Sequence, residues 1–214
     1  MIPERFVFLV LIYNMPDPGH RYFIIYKPHN MASQFISPVK ERLLGDLDFA
    51  FPAGIHAIGR LDKDSEGLLI LTTNKKITRL LFQSKEPHKR VYLVQVRYEV
   101  TEETLLKLRT GVNIQISGGG YYTTPPCDVD IIEKPEYIMP ADFPISTYQP
   151  YTWLRIALTE GKFRQVRKMV EAVRHRCVRL IRESIEDLSL AGLQSGQVRE
   201  IPEKEFFEML KLKE

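Results

Sequence analysis

The chain has 214 residues, 44% of them hydrophobic and 27% charged, with a formal net charge of +3. That length and balance fit a soluble globular protein of one large or two small domains, with a core that needs no covalent staples. Its two cysteines, Cys127 and Cys177, are far apart and have no histidine at ligand spacing. This excludes a disulfide framework and a recognisable zinc site, and suits a reducing, cytoplasmic setting.

In chain order, Phe6 to Tyr13 is apolar, but its eight residues fall short of the roughly 20 needed to cross a bilayer. Residues 14–19 read as a turn with no small-residue cleavage site. A peripheral strand, a targeting segment and an upstream start with the true start at Met15 all stay open. Tyr22 to Tyr26 is a compact apolar strand stopped by Lys27-Pro28, and Val39 to Leu44 reads as a short helix. Leu68 to Thr72 is a buried-type strand, after which Asn74 caps a helix with Ile77, Leu80 and Leu81 on one face. Val91 to Val100 alternates as a strand with Tyr92, Val94, Val96, Tyr98 and Val100 on one side.

Thr101 caps the next helix, whose Leu105 and Leu108 face inward, and Gly111 ends it. Val112 to Ile116 and Cys127 to Ile132 read as strands around the Gly118-Gly119-Gly120 turn. Residues 134–150 carry Pro135, Pro140, Pro144 and Pro150 and form a loop. Leu154, Ile156 and Leu158 mark another strand, followed by a helix with Val166, Met169, Val170 and Val173 at helical spacing. Val178 to Ile181 and Val198 to Ile201 are late strands, with a closing helix after Pro202. Antiparallel-type strands with single helices between them predict an α+β fold.

Two stretches carry chemistry. Between Arg155 and Arg182 sit Lys162, Arg164, Arg167, Lys168, Arg174, Arg176 and Arg179 against only Glu160 and Glu171. Such a run is the footprint of a phosphate backbone or else a solvated face. The segment Gly59-Arg60-Leu61-Asp62-Lys63-Asp64-Ser65-Glu66-Gly67 packs three acids and two bases into nine residues. Its glycines mark a turn, and Leu68-Leu69-Ile70-Leu71 anchors it to a core strand, the rigid support that site loops require. His29, His56 and His88 are read as structural or surface residues.

Four segments in order, Tyr22 to Pro28, Gly59 to Asn74, Lys89 to Val94 and Glu160 to Met169, resemble the successive motifs of the RsuA/RluB/RluE/RluF group of pseudouridine synthases. The Gly-Arg-Leu-Asp-x-Asp-Ser-Glu-Gly-Leu-Leu string is the most specific of them, and Val178 to Arg182 with Leu188, Leu193 and Gly196 is similar to the closing pattern. About twenty residues precede the first motif, too few for an S4 RNA-binding module. The resemblance is therefore strongest to the branch without that module, which modifies 23S ribosomal RNA.

The resemblance implies a mixed, mostly antiparallel sheet with flanking helices and an active-site cleft across it. Residues 20–214 would be the catalytic domain, built of two subdomains sharing a continuous sheet, after an N-terminal extension over 1–19. It implies cofactor-free isomerisation of uridine, with base flipping, by a protein that needs no metal or membrane and acts as a monomer on ribosomal RNA. Asp62 would be the catalytic aspartate, acting at the sugar, at the base or through a glycal route.

Arg167 would pair with Asp62, and Tyr92 would stack on the target base and take part in proton removal. Leu61 and Val166 would line the pocket. Arg60, Lys27, Lys89, Arg90, Lys162, Arg164 and Lys168 are candidate RNA contacts, and Asp64 and Glu66 structural partners that order the loop. Two rival readings are a non-catalytic RNA-binding module and a hydrolase using Asp62 and Glu66 as an acid–base pair.

Overall fold

The computed structural model describes residues 19–82, 87–190 and 192–213, so Phe6 to Tyr13 and the readings open for it lie outside the described residues. The main sheet has the strand order β11-β1-β3-β9-β4-β8-β7, with β2 added on β3 and β10 on β9. Its strands are β1 Tyr22–Lys27, β2 His56–Ile58, β3 Glu66–Thr72, β4 Arg90–Arg97, β7 Asp128–Ile132, β8 Tyr151–Leu158, β9 Cys177–Ile185, β10 Leu188–Ser189 and β11 Val198–Ile201. Every pairing is antiparallel except β3 with β9. Helices α1 Ile77–Phe82, α2 Glu102–Thr110, α3 Gln165–Ala172 and α4 Glu203–Met209 flank it. This is the α+β mixed sheet that the sequence predicts.

All six residues of β1 are buried, because the strand lies between two neighbours and under packed side chains on both faces. A fully buried aliphatic or aromatic side chain contributes about 1.5–3 kcal/mol, so β1 and the wholly buried β3 anchor the fold. One face carries a single core, in which Ile24, Leu68, Ile70, Leu93 and Ile181 meet α1 through Ile77 and Leu81 and α4 through Phe206. The other face carries two. Phe23, Ile25, Leu69 and Leu71 pack with Met31 and Leu44, while Val94, Leu154, Ile156 and Leu180 pack with Leu105, Val166 and Met169. The groove between these two cores is where the sheet is left uncovered.

Local signals explain most ends. Thr101 Oγ1 accepts from the Thr104 N–H, and Gly111, at φ 107°, closes α2; a side chain there would strike the Thr124 carbonyl. Asn74 Oδ1 accepts from the Lys76 N–H just ahead of α1. Three expectations need correction. Val39 to Leu44 is not a helix; only a 3-10 turn at Leu44–Asp46 forms. The glycine turn joins β5 Asn113–Gln115 to β6 Tyr121–Thr123 in a small separate hairpin. The 127–132 stretch instead becomes β7 and pairs with β8, because Val129 is drawn into the core under Ile156. Strand β4 stops at Arg97, and Tyr98 leaves it at φ 68° with its ring exposed. Among the described residues no helix is long and apolar enough to cross a membrane.

Candidate active site

The charged Gly59–Ser65 turn connects β2 to β3, and the sheet forks beneath it. The first two residues of β3 pair with β9, Glu66 with Ile181 and Gly67 with Arg182. Beyond them β9 parts from β3, and Ile70 to Thr72 pair with β2 instead. Gly67 makes the close approach feasible: it sits at φ 103°, and a Cβ there would lie 2.4 Å from the Arg182 carbonyl oxygen. The cross-strand register then sets one row on the groove side of the sheet, running Lys27, Gly67, Arg182, Tyr92 and Ile156. A cleft of about 880 Å³ opens above this row.

Asp62, Leu61 and Arg60 form one wall of the cleft, and Lys162, Arg164 and Val166 the other, with Tyr92, Leu180 and Arg182 at its floor. Leu61 is held by Ser33, whose Oγ accepts from the Leu61 N–H (3.0 Å) and donates to its carbonyl (2.8 Å). Asp62 has its side chain 29% exposed, and Arg164 Nη1 lies 3.6 Å from its Oδ2. That contact is an ion pair without hydrogen-bond geometry. Tyr92 is half-buried on the sheet, with its ring available to a base entering the cleft.

The pairing of Asp62 with Arg167 is corrected by the structure. Arg167 Nη2 donates to the Asp64 carbonyl (2.6 Å) and to Ser65 Oγ (3.3 Å), and stands 3.4 Å from Asp64 Oδ2. Arg164 instead grips Asp64 through both nitrogens, at 3.0 and 2.7 Å, and is the arginine nearest Asp62. The reason is local. Arg164 precedes α3 in left-handed backbone, φ 55° and ψ 32°, and reaches the carboxylates over the loop, whereas Arg167 leaves from the first turn of α3 and meets the loop's backbone. Burial raises the Asp64 pKa, but the Arg164 hydrogen bond and the Arg167 charge outweigh it and hold the carboxyl below its ordinary value.

Three of the seven candidate RNA contacts, Arg60, Lys162 and Arg164, stand exposed or half-exposed on the cleft walls. Lys162 Nζ rests 4.8 Å over the Tyr122 ring. Lys27 is fully buried, with Nζ donating to the carbonyls of Pro28 (2.8 Å), Met31 (2.8 Å) and Lys63 (3.4 Å). It cannot reach a phosphate; it holds the chain under the loop, and burial lowers its pKa to about 8. Arg90 lies on the floor with 8% exposure, donating to the His88 and Thr159 carbonyls. Lys89 and Lys168 are not on the cleft lining. Lys89 pairs with Asp128 at 3.3 Å, and Lys168 sits over the Phe163 ring.

Two features go beyond the sequence reading, which had Glu66 as a structural partner of the loop but did not identify Arg179 as what it pairs with. Glu66 takes both oxygens to Arg179, at 2.7 and 2.8 Å, a pair in which both side chains are at most 4% exposed. Arg179 also donates to the Met139 carbonyl at 2.7 Å, which ties the 134–150 loop to the sheet behind the site. Arg182, counted above within a basic run, is 4% exposed on the cleft floor. Its signal was available: an arginine directly after Leu180 and Ile181 interrupts an apolar strand.

The sequence matches the RNA pseudouridylate synthase family over residues 21–172. It is 36% identical over 189 residues to the ribosomal large subunit pseudouridine synthase E of Vibrio parahaemolyticus, covering 86% of this chain and 76% of that one. It is 35% identical over 181 residues to the enzyme of the same name from Xanthomonas campestris pv. campestris, covering 82% of this chain and 92% of that one. Its fold is similar to a crystal structure described as a pseudouridylate synthase, at a TM-score of 0.71 and 22% identity, covering 90% of this chain and 74% of that one. Residues 21–172 contain the Asp62 loop, β3, β4 and α3 in full, with β9 following them, and the chain belongs to the RNA pseudouridylate synthase family, in its RsuA/RluB/RluE group.

Proposed function

We propose that this protein isomerises uridine to pseudouridine in ribosomal RNA, with Asp62 as the carboxylate that begins the exchange. The reaction breaks the bond between uracil N1 and C1′, turns the base, joins C5 to C1′ and releases the C5 proton. The observation that carries the reading is the state of the carboxylates in the cleft. Glu160 accepts from the Tyr122 hydroxyl and the Gln165 amide, both at 2.6 Å, and Glu41 accepts from Ser37 and pairs with Lys63. Asp62 is the one whose side-chain oxygens accept no hydrogen bond from the described residues, so its lone pairs are free for a substrate.

The rest of the cleft suits a flipped nucleotide. Tyr92 offers a ring on which the base stacks, a contact of about 1–3 kcal/mol. Leu61 and Val166 supply apolar walls. Arg60, Lys162 and Arg164 meet the flanking phosphates, and Arg164 also balances the charge of Asp62. A module that only bound RNA would gain nothing from a carboxylate whose lone pairs are left open towards an anionic ligand. The names of the Vibrio and Xanthomonas relatives favour large-subunit (23S) RNA as the substrate, and we place the reaction in the cytoplasm, carried out by a monomer whose catalytic domain spans residues 20–214.

The test is incubation of the protein with 23S RNA fragments, with carbodiimide-primer extension to locate pseudouridine. The wild type is expected to convert one site, and Asp62→Asn to lose at least ~10⁴-fold of the rate while keeping its fold. Wild-type protein that binds the RNA and converts no uridine would overturn the reading.

A further inference from the structure

Arg182 is a cation in the wrong place for a structural residue. Its guanidinium lies on the cleft floor beside Tyr92, its cross-strand partner in the row beneath the Asp62 loop. Nε donates to the Leu68 carbonyl at 2.8 Å. Nη2 is buried and has no hydrogen-bond partner among the described residues. No carboxylate faces the group among the described residues: the Tyr92 hydroxyl is its favourable polar neighbour, and Arg90 on the same floor repels it. Arg179, equally buried, has both oxygens of Glu66 as its counter-charge. A guanidinium taken out of water without a counter-anion is costly, and burial accordingly pulls the Arg182 pKa down. The fold keeps the charge in place regardless.

We propose that Arg182 contacts the flipped uracil and takes up the negative charge that gathers on its carbonyl oxygens as the N1–C1′ bond breaks. This rests on the isomerisation reading above. When that bond cleaves, its electron pair passes to the base and spreads over N1, O2 and O4. No proton needs to move to or from Arg182. The charge is consumed when C5 bonds to C1′; the C5 proton then leaves to a base and N1 takes up a proton, which restores a neutral ring. The bound uridine is neutral at the ring, so a cation on the floor gains most in the transition state, the condition for raising a rate rather than an affinity. Depth selects the base over the phosphates. Flanking phosphates meet the exposed cations Arg60 and Lys162 at the rim, whereas a side chain with 4% exposure beside Tyr92 on the floor meets only what enters the pocket.

The experiment compares single-turnover rates of wild type, Arg182→Gln and Arg182→Lys on an RNA fragment carrying uridine or 5-fluorouridine at the target. Fluorine acidifies the departing base, so its anion needs less help. Loss of the starting nucleoside from a nuclease digest reports cleavage for both RNAs. Arg182→Gln is expected to slow the uridine RNA by ~10²–10³-fold, the usual effect of deleting one donor aimed at developing charge. On the fluorouridine RNA the loss should be at least ~10-fold smaller, with RNA affinity changed less than ~3-fold in both. Arg182→Lys should lie between wild type and Arg182→Gln with the same dependence on fluorine, and it carries the test if the glutamine variant does not fold. Equal losses on both RNAs, or a loss confined to affinity, would overturn the role of Arg182 while leaving the isomerase reading intact. A wild-type protein inactive on every RNA would remove the reading itself and this inference with it.

Discussion

Arg164 and Arg167 meet the Asp62 loop at different levels, and their substitution should separate activity from stability. Arg164 is about one-third exposed and touches both Asp62 and Asp64. Arg164→Gln is therefore expected to lower the single-turnover rate ~10-fold or more with little change in thermal midpoint, since partly exposed ion pairs contribute little stability. Arg167 is largely buried and holds the loop by its backbone. A charged hydrogen bond of this kind contributes about 1.5–3 kcal/mol, so Arg167→Gln should lower the unfolding free energy measured in urea by a comparable amount. Lys27 gives a pH signature. Its pKa of about 8 in the fold lies below the ordinary lysine value of 10.5, so between those values the unfolded chain holds more protons and stability rises with pH. That contribution is complete above about 10.5 and lost as pH falls through about 8, up to about 3 kcal/mol in all. Urea midpoints from pH 7 to 10 should climb for wild type relative to Lys27→Met.

Strand β3 is the element on which the site depends. It begins with Glu66, four residues after Asp62, and Glu66 is clamped by Arg179 of β9 just where the two strands run parallel. The clamp and the bare Cα of Gly67 together set where the fork opens, and hence the height of the Asp62 loop above Tyr92. Removing one partner of such a buried pair costs about 3–5 kcal/mol, while replacing both with apolar residues is often neutral. Arg179→Met alone should therefore be strongly destabilised in chemical denaturation, and the double variant Glu66→Leu/Arg179→Met should recover most of the loss. Arg179 also holds the Met139 carbonyl, so the single variant should additionally loosen the 134–150 loop, seen as faster amide exchange there.

At the scale of the whole molecule, the basic run between Arg155 and Arg182 is dispersed by the fold. Arg155 pairs with Glu183, Arg179 is buried against Glu66, and Arg182 is on the cleft floor. The cations on the cleft walls come from two distant segments, Arg60 beside β2 and Lys162 and Arg164 ahead of α3. Each phosphate contact removed should reduce the slope of log affinity against log salt by about 0.7–0.9. Arg60→Ala is expected to show that reduction in filter binding to the RNA fragment. Lys89→Ala, which alters a residue away from the cleft lining and already paired with Asp128, should leave the slope unchanged.

Periodicity and capping residues lie along the chain and act over a few residues, which is why the strands, α1, α2, α3, the closing helix and the α+β class were legible in the sequence. The Gly59–Gly67 string was legible for the same reason: its glycines and crowded acids are contiguous, and its motif order carries the family. What the tertiary structure decided were the contacts between segments about a hundred residues apart. Arg164 rather than Arg167 came to stand nearest Asp62 because one arginine precedes α3 in left-handed backbone and the other lies inside the helix. Lys27 reads in the sequence as a surface cation, and Arg182 differs from one only in following Leu180 and Ile181. Cross-strand register puts both in the row under Asp62, one bound to three carbonyls and the other with a buried N–H left unpartnered. Charge is visible in a sequence, but whether water, a carbonyl or a substrate will face it is settled only by which strands become neighbours.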